Sequence, residues 1–208
     1  MTGEMGAVWL TPAGLRARVE AVLGDRCRRV VDAGDRIAAA VLLLFLFRAG
    51  EPRLVFVKKT ETVPHHKGQF SFPGGTVETS DGSPIETALR EAQEEIGLDP
   101  GLVDVLGVFD DTPTSASNFV ITPVVGLARA APLLRADGRE IERVVEIPLA
   151  RLLDPAVYRE EWWEREGRRQ PVVFFTVGAD VVWGATGRIL RDFLKVVFPE
   201  AMAGRETP

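Results

Sequence analysis

An unbroken apolar run, IAAAVLLLFLF at positions 37–47, places the strongest restriction on the fold. It has eleven residues. A helix that crosses a bilayer needs about 20, and the run begins too far into the chain for a signal peptide. We therefore interpret it as a buried β-strand. The run RLVFVKK at 53–59 follows a turn-rich connector, RAGEP, so the two runs are predicted to form a β-hairpin.

The remaining elements follow in an irregular order of strands and helices. Strands are predicted at 103–111, 120–127, 171–177 and 180–184, the second of them broken or bulged at Pro123. Helices are predicted at 11–24, 148–154 and 186–198, in addition to an acidic helix near the middle of the chain. This order predicts a mixed α/β (α+β) sandwich, because a doubly wound sheet would need strict alternation.

Composition restricts the classes of partner. The 208 residues carry a formal net charge of −5, which argues against nucleic-acid binding by bulk electrostatics. The single cysteine, Cys27, excludes an intramolecular disulfide and a Cys/His zinc site, so a reducing cytoplasm is the expected location. No apolar segment is long enough for a membrane partner to be expected.

The acidic helix is predicted within SPIETALREAQEEIG, residues 83–97. Ser83 can serve as its N-cap, Pro84 suits the first helical position and Gly97 suits the stop. The apolar residues at helical spacing form the predicted buried face: Ile85, Ala88, Leu89, Ala92 and Ile96. Three glutamates, Glu91, Glu94 and Glu95, are predicted on the opposite side.

Like charges at these spacings destabilise a helix by roughly 0.2–0.5 kcal/mol per pair, so a bound cation is expected to offset them. Glu91 and Glu95 lie one turn apart, and their oxygens suit a hard cation. Arg90 can hold neighbouring carboxylates in place. The preceding FPGG, 72–75, allows the backbone to approach a ligand closely. The alternative interpretation of the three glutamates is a solvated acidic face.

Gly75, Asp81 and REAQEEIGL at 90–98 together resemble the Nudix box, Gly-x5-Glu-x7-Arg-Glu-x2-Glu-Glu-x-Gly followed by an apolar residue. The second half matches fully. In the first half Asp81 replaces glutamate, and eight residues rather than seven separate it from Arg90. This expansion resembles the coenzyme A diphosphatase branch of the Nudix family, and the similarity extends over most of residues 37–198.

That branch has a signature upstream of the box. Gly68 and the FPGG segment stand in register with it, whereas Pro64 occupies the position of an arginine that could grip a phosphate. Basic residues nearby are substitutes for that arginine: Lys58, Lys59, His65, His66 and Lys67. The predicted substrate-binding residues are Gly74, Gly75, Lys58, His66 and Lys67. For the lysines and the histidine, the alternative interpretation is a solvated basic loop.

The resemblance implies an α/β/α sandwich with a mixed central sheet, spanning 37–198, after a helical extension at 1–36 and before a mobile tail at 199–208. It implies hydrolysis of coenzyme A or a derivative to 3′,5′-ADP and a 4′-phosphopantetheine product. Mg²⁺ or Mn²⁺ would be held by Glu91 and Glu95 with help from Glu94. The implied catalytic residues are Glu94, Arg90 and Glu140, with Glu142 as a second choice for the proton acceptor.

Two other functions stay open. One keeps the chemistry but changes the substrate, to ADP-ribose, NADH, a dinucleoside polyphosphate or an oxidised nucleotide. The other is a catalytically idle nucleotide-binding sensor module, against which the intact glutamate set counts. A homodimer through the N-terminal helix or the Trp162 region is an expectation on family-level grounds.

Several acids and aromatic residues allow two interpretations. Asp110 and Asp111 suit either the metal site or a capped turn. Trp162 and Trp163 suit either stacking on a base or packing, and Phe119 and Trp183 are predicted to lie in the core.

Overall fold

A computed structural model describes residues 8–61, 67–114, 117–165 and 167–205. Its α-helices are α1 (Pro12–Gly24), α2 (Pro84–Ile96), α3 (Leu149–Leu152), α4 (Gly184–Val197) and α5 (Pro199–Met202). Its strands are β1 (Ile37–Arg48), β2 (Glu51–Lys59), β3 (Phe70–Ser71), β4 (Gly74–Thr76), β5 (Val103–Val108), β6 (Thr112–Pro113), β7 (Phe119–Ala128), β8 (Ile141–Pro148), β9 (Tyr158–Arg165), β10 (Arg168–Val177) and β11 (Asp180–Trp183).

The apolar run forms β1 at the centre of a mixed eight-stranded sheet. β1 pairs antiparallel with β2 and parallel with β7, so it is covered on both edges. The predicted hairpin is confirmed: β1 and β2 meet through a two-residue turn, in which Ala49 and Gly50 both have positive φ. That turn geometry matches the right-handed twist of the flanking strands.

The glycine segment, or glycine turn, is FPGG at 72–75, and it is inserted between β1 and β2. These strands pair only from Phe45 and Leu54 toward the hairpin turn. Beyond that point β3 pairs with β2, and β4 pairs with β1. β8 takes the other edge of β2, because it pairs with the same β2 residues that contact β1 and β3. The insertion brings the glycine turn to the middle of the sheet.

Alternate residues of β1 face two separate hydrophobic clusters. Leu42, Leu44 and Leu46 pack with α2 on one face of the sheet. Leu43 and Phe45 face the other cluster, which contains residues of α1, α4 and a three-stranded antiparallel sheet, β9–β11. This two-sided cover explains why the run has no polar residue, and the predicted α/β sandwich with a mixed sheet is confirmed.

Two details of the predicted strands are wrong. β7 runs through Pro123 without a break, since the Pro123 carbonyl accepts the N–H of Phe109. The bulge lies instead in the neighbouring strand β5, between Val105 and Gly107. The strand predicted to reach 111 ends at Val108. β9 was missed, because its alternating charges and tryptophans lack a simple apolar pattern.

Both ends of the described chain pack on the domain. α1 begins after Thr11, whose hydroxyl accepts the N–H of Gly14, and Leu15 is buried in the core. The segment predicted as a tail at 199–208 begins with α5, which buries Met202. Arg205 then donates to the carbonyl of Leu153.

No helix in the described part of the chain is long and apolar enough to span a bilayer.

Candidate active site

The ends of α2 follow the predicted cap residues. Ser83 accepts the N–H of Glu86 at 3.3 Å, Pro84 is the first helical residue and Gly97 ends the helix in the left-handed conformation. The Glu86 carboxylate reaches back to the N–H of Gly82 at 2.8 Å. These local contacts set where along the helix each glutamate lies.

Glu95 is buried, although helical spacing predicted it with Glu91 and Glu94 on the side of α2 opposite the buried apolar residues. Only 5% of its surface is exposed. Its carboxylate accepts the N–H of Gly74 at 3.0 Å and the amino group of Lys59 at 2.8 Å. Burial raises the pKa of Glu95 despite these two donors. The inserted glycine segment therefore creates a buried, charge-assisted carboxylate site that helical periodicity alone does not reveal.

Glu91 is partly buried beside Gly75. A Cβ added at Gly75 would lie 2.4–2.7 Å from the carboxyl group of Glu91, so only glycine leaves room for it. Burial raises the pKa of Glu91, although Arg90, 3.1 Å away, opposes the rise. Glu91 and Glu95 thus lie against consecutive glycines of the same turn.

Arg90 is fastened by Asp81. Its Nε and one terminal nitrogen donate to the two Asp81 oxygens, each at 3.0 Å, and the same terminal nitrogen donates to the carbonyl of Thr76. Hydrogen bonding from Arg90 holds the pKa of Asp81 well below its usual range. Arg90 thereby links the start of the box, β4 and Glu91 into one rigid unit.

Glu94 differs from its two neighbours, since 61% of its side chain is exposed and its contact with Arg90 is 3.5 Å long. Among the described residues, no three acidic, histidine or cysteine side chains converge as a ready-made metal site. In this arrangement the buried carboxylate of Glu95 is instead neutralised by Lys59.

Glu140 and Glu142 occupy different surroundings. Glu140 lines the cleft beside the glycine turn, is 66% exposed and lies 3.9 Å from the Lys59 amino group. Glu142 pairs with Lys58 at 2.8 Å and is not part of the described cleft lining. Of the two candidate proton acceptors, Glu140 is the one placed beside the buried carboxylate.

The predicted basic contacts are mostly not brought into the site. Lys58 is committed to Glu142, and Lys67 is exposed and absent from the described cleft lining. His66, together with Pro64 and His65, lies outside the described residues. Lys59 is the basic residue of this group that reaches the site.

A cleft of about 720 Å³ opens from Gly74 and Gly75. It runs between the main sheet, the start of α4 and the β9–β11 sheet. Trp163 and Trp183 both line it, with their ring centroids 6.1 Å apart. Phe119 also lines it, so the prediction that Phe119 and Trp183 belong wholly to the core is wrong.

Arg188 is a cleft residue that sequence reasoning missed. It lies in α4, lines the cleft and donates to the carbonyl of Pro113. The available signal was the segment VVWGATGRIL, in which a strand meets a helix through glycine with an arginine one turn in.

Asp110 and Asp111 contact arginines of the segment that follows α1. Asp110 pairs with Arg26 at 2.5 Å, and Asp111 is buried with Arg28 and the hydroxyl of Thr122 as partners. Both acids fasten the segment after α1 to the sheet.

Comparison with known proteins gives a consistent match. The NUDIX domain family model matches residues 36–168. A protein of Cronobacter sakazakii described as an uncharacterized Nudix hydrolase NudL is 38% identical over 153 residues, covering 74% of this chain and 79% of its own length. The corresponding Photorhabdus laumondii protein is 33% identical over 159 residues, covering 76% and 84%.

Solved structures of the same family are more distant in sequence. RenU, a Nudix hydrolase from M. smegmatis, aligns with a TM-score of 0.48 and 20% identity over 56% of this chain and 73% of its own. A MutT/nudix family protein from Enterococcus faecalis aligns with a TM-score of 0.48 and 15% identity over 93% of this chain and 74% of its own.

Proposed function

Because this chain belongs to the Nudix hydrolase family, we propose that it hydrolyses the diphosphate bond of coenzyme A or a derivative, giving 3′,5′-ADP and a 4′-phosphopantetheine product. The family acts on nucleoside diphosphate derivatives. The observation that carries the proposal is Glu95, a buried carboxylate held by the amino group of Lys59 and the N–H of Gly74, two residues that line a large cleft.

The residues present suit a divalent cation. Glu95 is buried and already faces the positive charge of Lys59, and Glu91 fills the space left by Gly75. Their oxygens are the ligand type that Mg²⁺ and Mn²⁺ prefer, and the exposed Glu94 is close enough along the helix to assist. Mg²⁺ or Mn²⁺ bound there would neutralise phosphate oxygens and lower the pKa of a bound water.

The protein groups then have distinct tasks. Water adds to one phosphorus atom, the bond from that phosphorus to the bridging oxygen breaks, and each product keeps one of the two phosphates of the diphosphate. Glu140 accepts the proton of the attacking water, because it is an exposed carboxylate on the cleft wall. Arg90 positions Glu91, and Gly74 and Gly75 form the part of the cleft wall at which the phosphates would bind.

The cleft supports a nucleoside derivative with a sizeable second group. Its volume, about 720 Å³, lies within the range of small-molecule sites, roughly 300–1,000 Å³. Trp163 and Trp183 provide aromatic faces against which a base can stack. The choice of coenzyme A rests on the signature at Gly68 and 72–75 and on the expanded box.

A second candidate keeps the reaction and changes the substrate to ADP-ribose, NADH, a dinucleoside polyphosphate or an oxidised nucleotide. The specific observation in its favour is Pro64, which stands where the coenzyme A branch has arginine.

The test is product formation, followed by chromatography, on coenzyme A, ADP-ribose, NADH and diadenosine polyphosphates, with Mg²⁺ and with Mn²⁺. The enzymes compared are wild type, Glu95→Gln and, as a matched control, Glu20→Gln on the exposed side of α1. Coenzyme A turnover that Glu95→Gln abolishes and Glu20→Gln preserves supports the proposal. Preference for another substrate rejects coenzyme A, and nucleotide binding without any turnover favours the sensor module.

A further inference from the structure

Arg188 is a cationic side chain that lines the cleft. Its guanidinium donates to the backbone carbonyl of Pro113, and within the described residues it forms no ion pair with an acid. The other basic residue of the cleft lining, Lys59, is paired with Glu95 at 2.8 Å. Arg188 therefore keeps its charge available on the cleft wall.

The described acids near Arg188 do not form an ion pair with it. Asp192 acts on it electrostatically but is itself paired with Arg191 at 2.8 Å. Of the acids that line the cleft, Glu140 lies beside Lys59. Glu164 lies opposite Arg169 in the β9–β10 register. Arg169 is four residues along β10 from Val173, where α4 contacts this strand, which places Glu164 about 13 Å from that contact.

The surroundings of Arg188 favour an anion. Burial lowers the pKa of its guanidinium, and the positive charges of Arg191 and Arg29 act in the same direction. Gly184 and Thr186, in the first turn of the same helix, also line the cleft. Backbone N–H groups of a first turn add positive potential, so an incoming negative charge would be stabilised from two directions.

Sheet register gives the distance from this group to the glycine turn. Thr76 pairs with Ala39, Ala39 with Ile121, and Ile121 with Thr112, next to the Pro113 carbonyl that Arg188 contacts. These three strand steps correspond to about 14 Å across the sheet. A group bound at Arg188 is thus part of the same substrate-sized cleft but distinct from the phosphates at Gly74 and Gly75.

We propose that Arg188 is a substrate-binding residue that pairs with a phosphate of the substrate other than the two of the scissile diphosphate. The inference rests on the proposed function and refines its specificity. In coenzyme A this phosphate is the monoester on the ribose 3′ position. In a dinucleoside polyphosphate it is an additional phosphate of the chain. A guanidinium suits either, because its planar donors match phosphate oxygens.

Binding without metal tests this separately from catalysis. Titration calorimetry in EDTA compares adenosine 3′,5′-bisphosphate with AMP. Wild type is expected to bind the bisphosphate about 10- to 100-fold more tightly, the size of a charge-assisted hydrogen bond. Arg188→Gln should remove the preference, and Arg188→Lys should keep part of it. Arg151→Gln, at an exposed position of α3 that is absent from the described cleft lining, should keep all of it. No preference in wild type, or an unchanged preference in Arg188→Gln, overturns the inference.

Kinetics separate this inference from the choice of coenzyme A. Arg188→Gln should raise KM for coenzyme A by about tenfold or more, while kcat and the turnover of 3′-dephospho-coenzyme A stay near wild type. An equal loss on both substrates contradicts the inference. Turnover of diadenosine polyphosphates but not of coenzyme A would reject coenzyme A as the substrate without rejecting the Arg188 site. In that case, an increase in KM caused by Arg188→Gln that grows with the number of phosphates supports the site. Melting temperatures exclude misfolding.

Discussion

Asp81 binds Arg90 through two parallel hydrogen bonds, each 3.0 Å long, across eight intervening residues. Asp81 also accepts the N–H of Glu78 and the hydroxyl of Thr87. An aspartate is one methylene shorter than the glutamate of the general box, and the extra residue before Arg90 accompanies this shorter side chain. The altered first half of the motif therefore still holds Arg90 in a bidentate pair.

Replacing Asp81 by asparagine is expected to lower activity while leaving the protein folded. The amide removes the charge and one acceptor, so Arg90 loses its fixed orientation and Glu91 loses its positioning partner. Loss of such a supporting contact typically costs about 10- to 100-fold in activity or metal affinity. The control is Glu78→Gln, since Glu78 is exposed and 3.8 Å from Arg90. Equal activity of Asp81→Asn and wild type would contradict this role.

Consecutive glycines of the turn are expected to respond differently to alanine. At Gly75 the new methyl group meets the flexible end of Glu91, which can move away. Stability should change by less than about 2 °C in Tm, whereas activity should fall on the order of 100-fold because a carboxylate is displaced by about 1 Å. Gly24→Ala, which has open space around it, is the control.

Gly74→Ala is expected to damage the fold instead. Gly74 has φ of 149°, and a Cβ there would lie 2.3 Å from the carbonyl oxygen of Ala40 in β1. Because backbone cannot move away as a side-chain end does, the unfolding free energy should drop by at least about 3 kcal/mol. Chemical denaturation measures it, and a stability equal to that of Gly75→Ala would refute the close contact between β4 and β1.

Glu140→Gln and Glu142→Gln form a matched pair of substitutions two residues apart. Glu140 lines the cleft, whereas Glu142 pairs with Lys58 away from it. Glu140→Gln should lower kcat by about 10²–10⁴-fold. Glu142→Gln should leave kcat within about twofold, since an exposed ion pair contributes little. The reverse order would reassign the proton acceptor.

The Arg26–Asp110 ion pair predicts a pH-dependent contribution to stability. Burial alone would raise the pKa of Asp110, but hydrogen bonds from Arg26 and from the N–H of Arg29 outweigh it and keep the pKa below its usual value. A depressed carboxyl pKa stabilises the fold above the unfolded value of about 4, and the effect is lost as pH falls through the folded pKa. Asp110→Asn should therefore lower Tm by roughly 2–4 °C at pH 7.

The same comparison repeated at acid pH is the check on that prediction. The Tm difference between Asp110→Asn and wild type should shrink as pH falls below about 4, because both chains then carry a neutral side chain at this position. A constant difference at every pH would show that the charge of Asp110 is not what fastens the segment after α1.

Features that depend on neighbours a few residues apart could be predicted from local sequence. The ends of α2 follow from Ser83, Pro84 and Gly97, because capping hydrogen bonds reach only three or four residues. The unbroken apolar run identified β1, since a strand covered on both faces has no polar side to show. The helical spacing of three and four residues identified Glu91, Glu94 and Glu95 as one group.

Long-range contacts determine which of these glutamates is buried and which residues complete the cleft. Glu95 is enclosed because the glycine segment enters the sheet between β1 and β2 and brings Gly74 and Lys59 to it. Arg188 joins the same cleft from almost a hundred residues further along the chain. Contacts of this kind depend on sheet register and helix packing, which bring together residues that no local pattern connects.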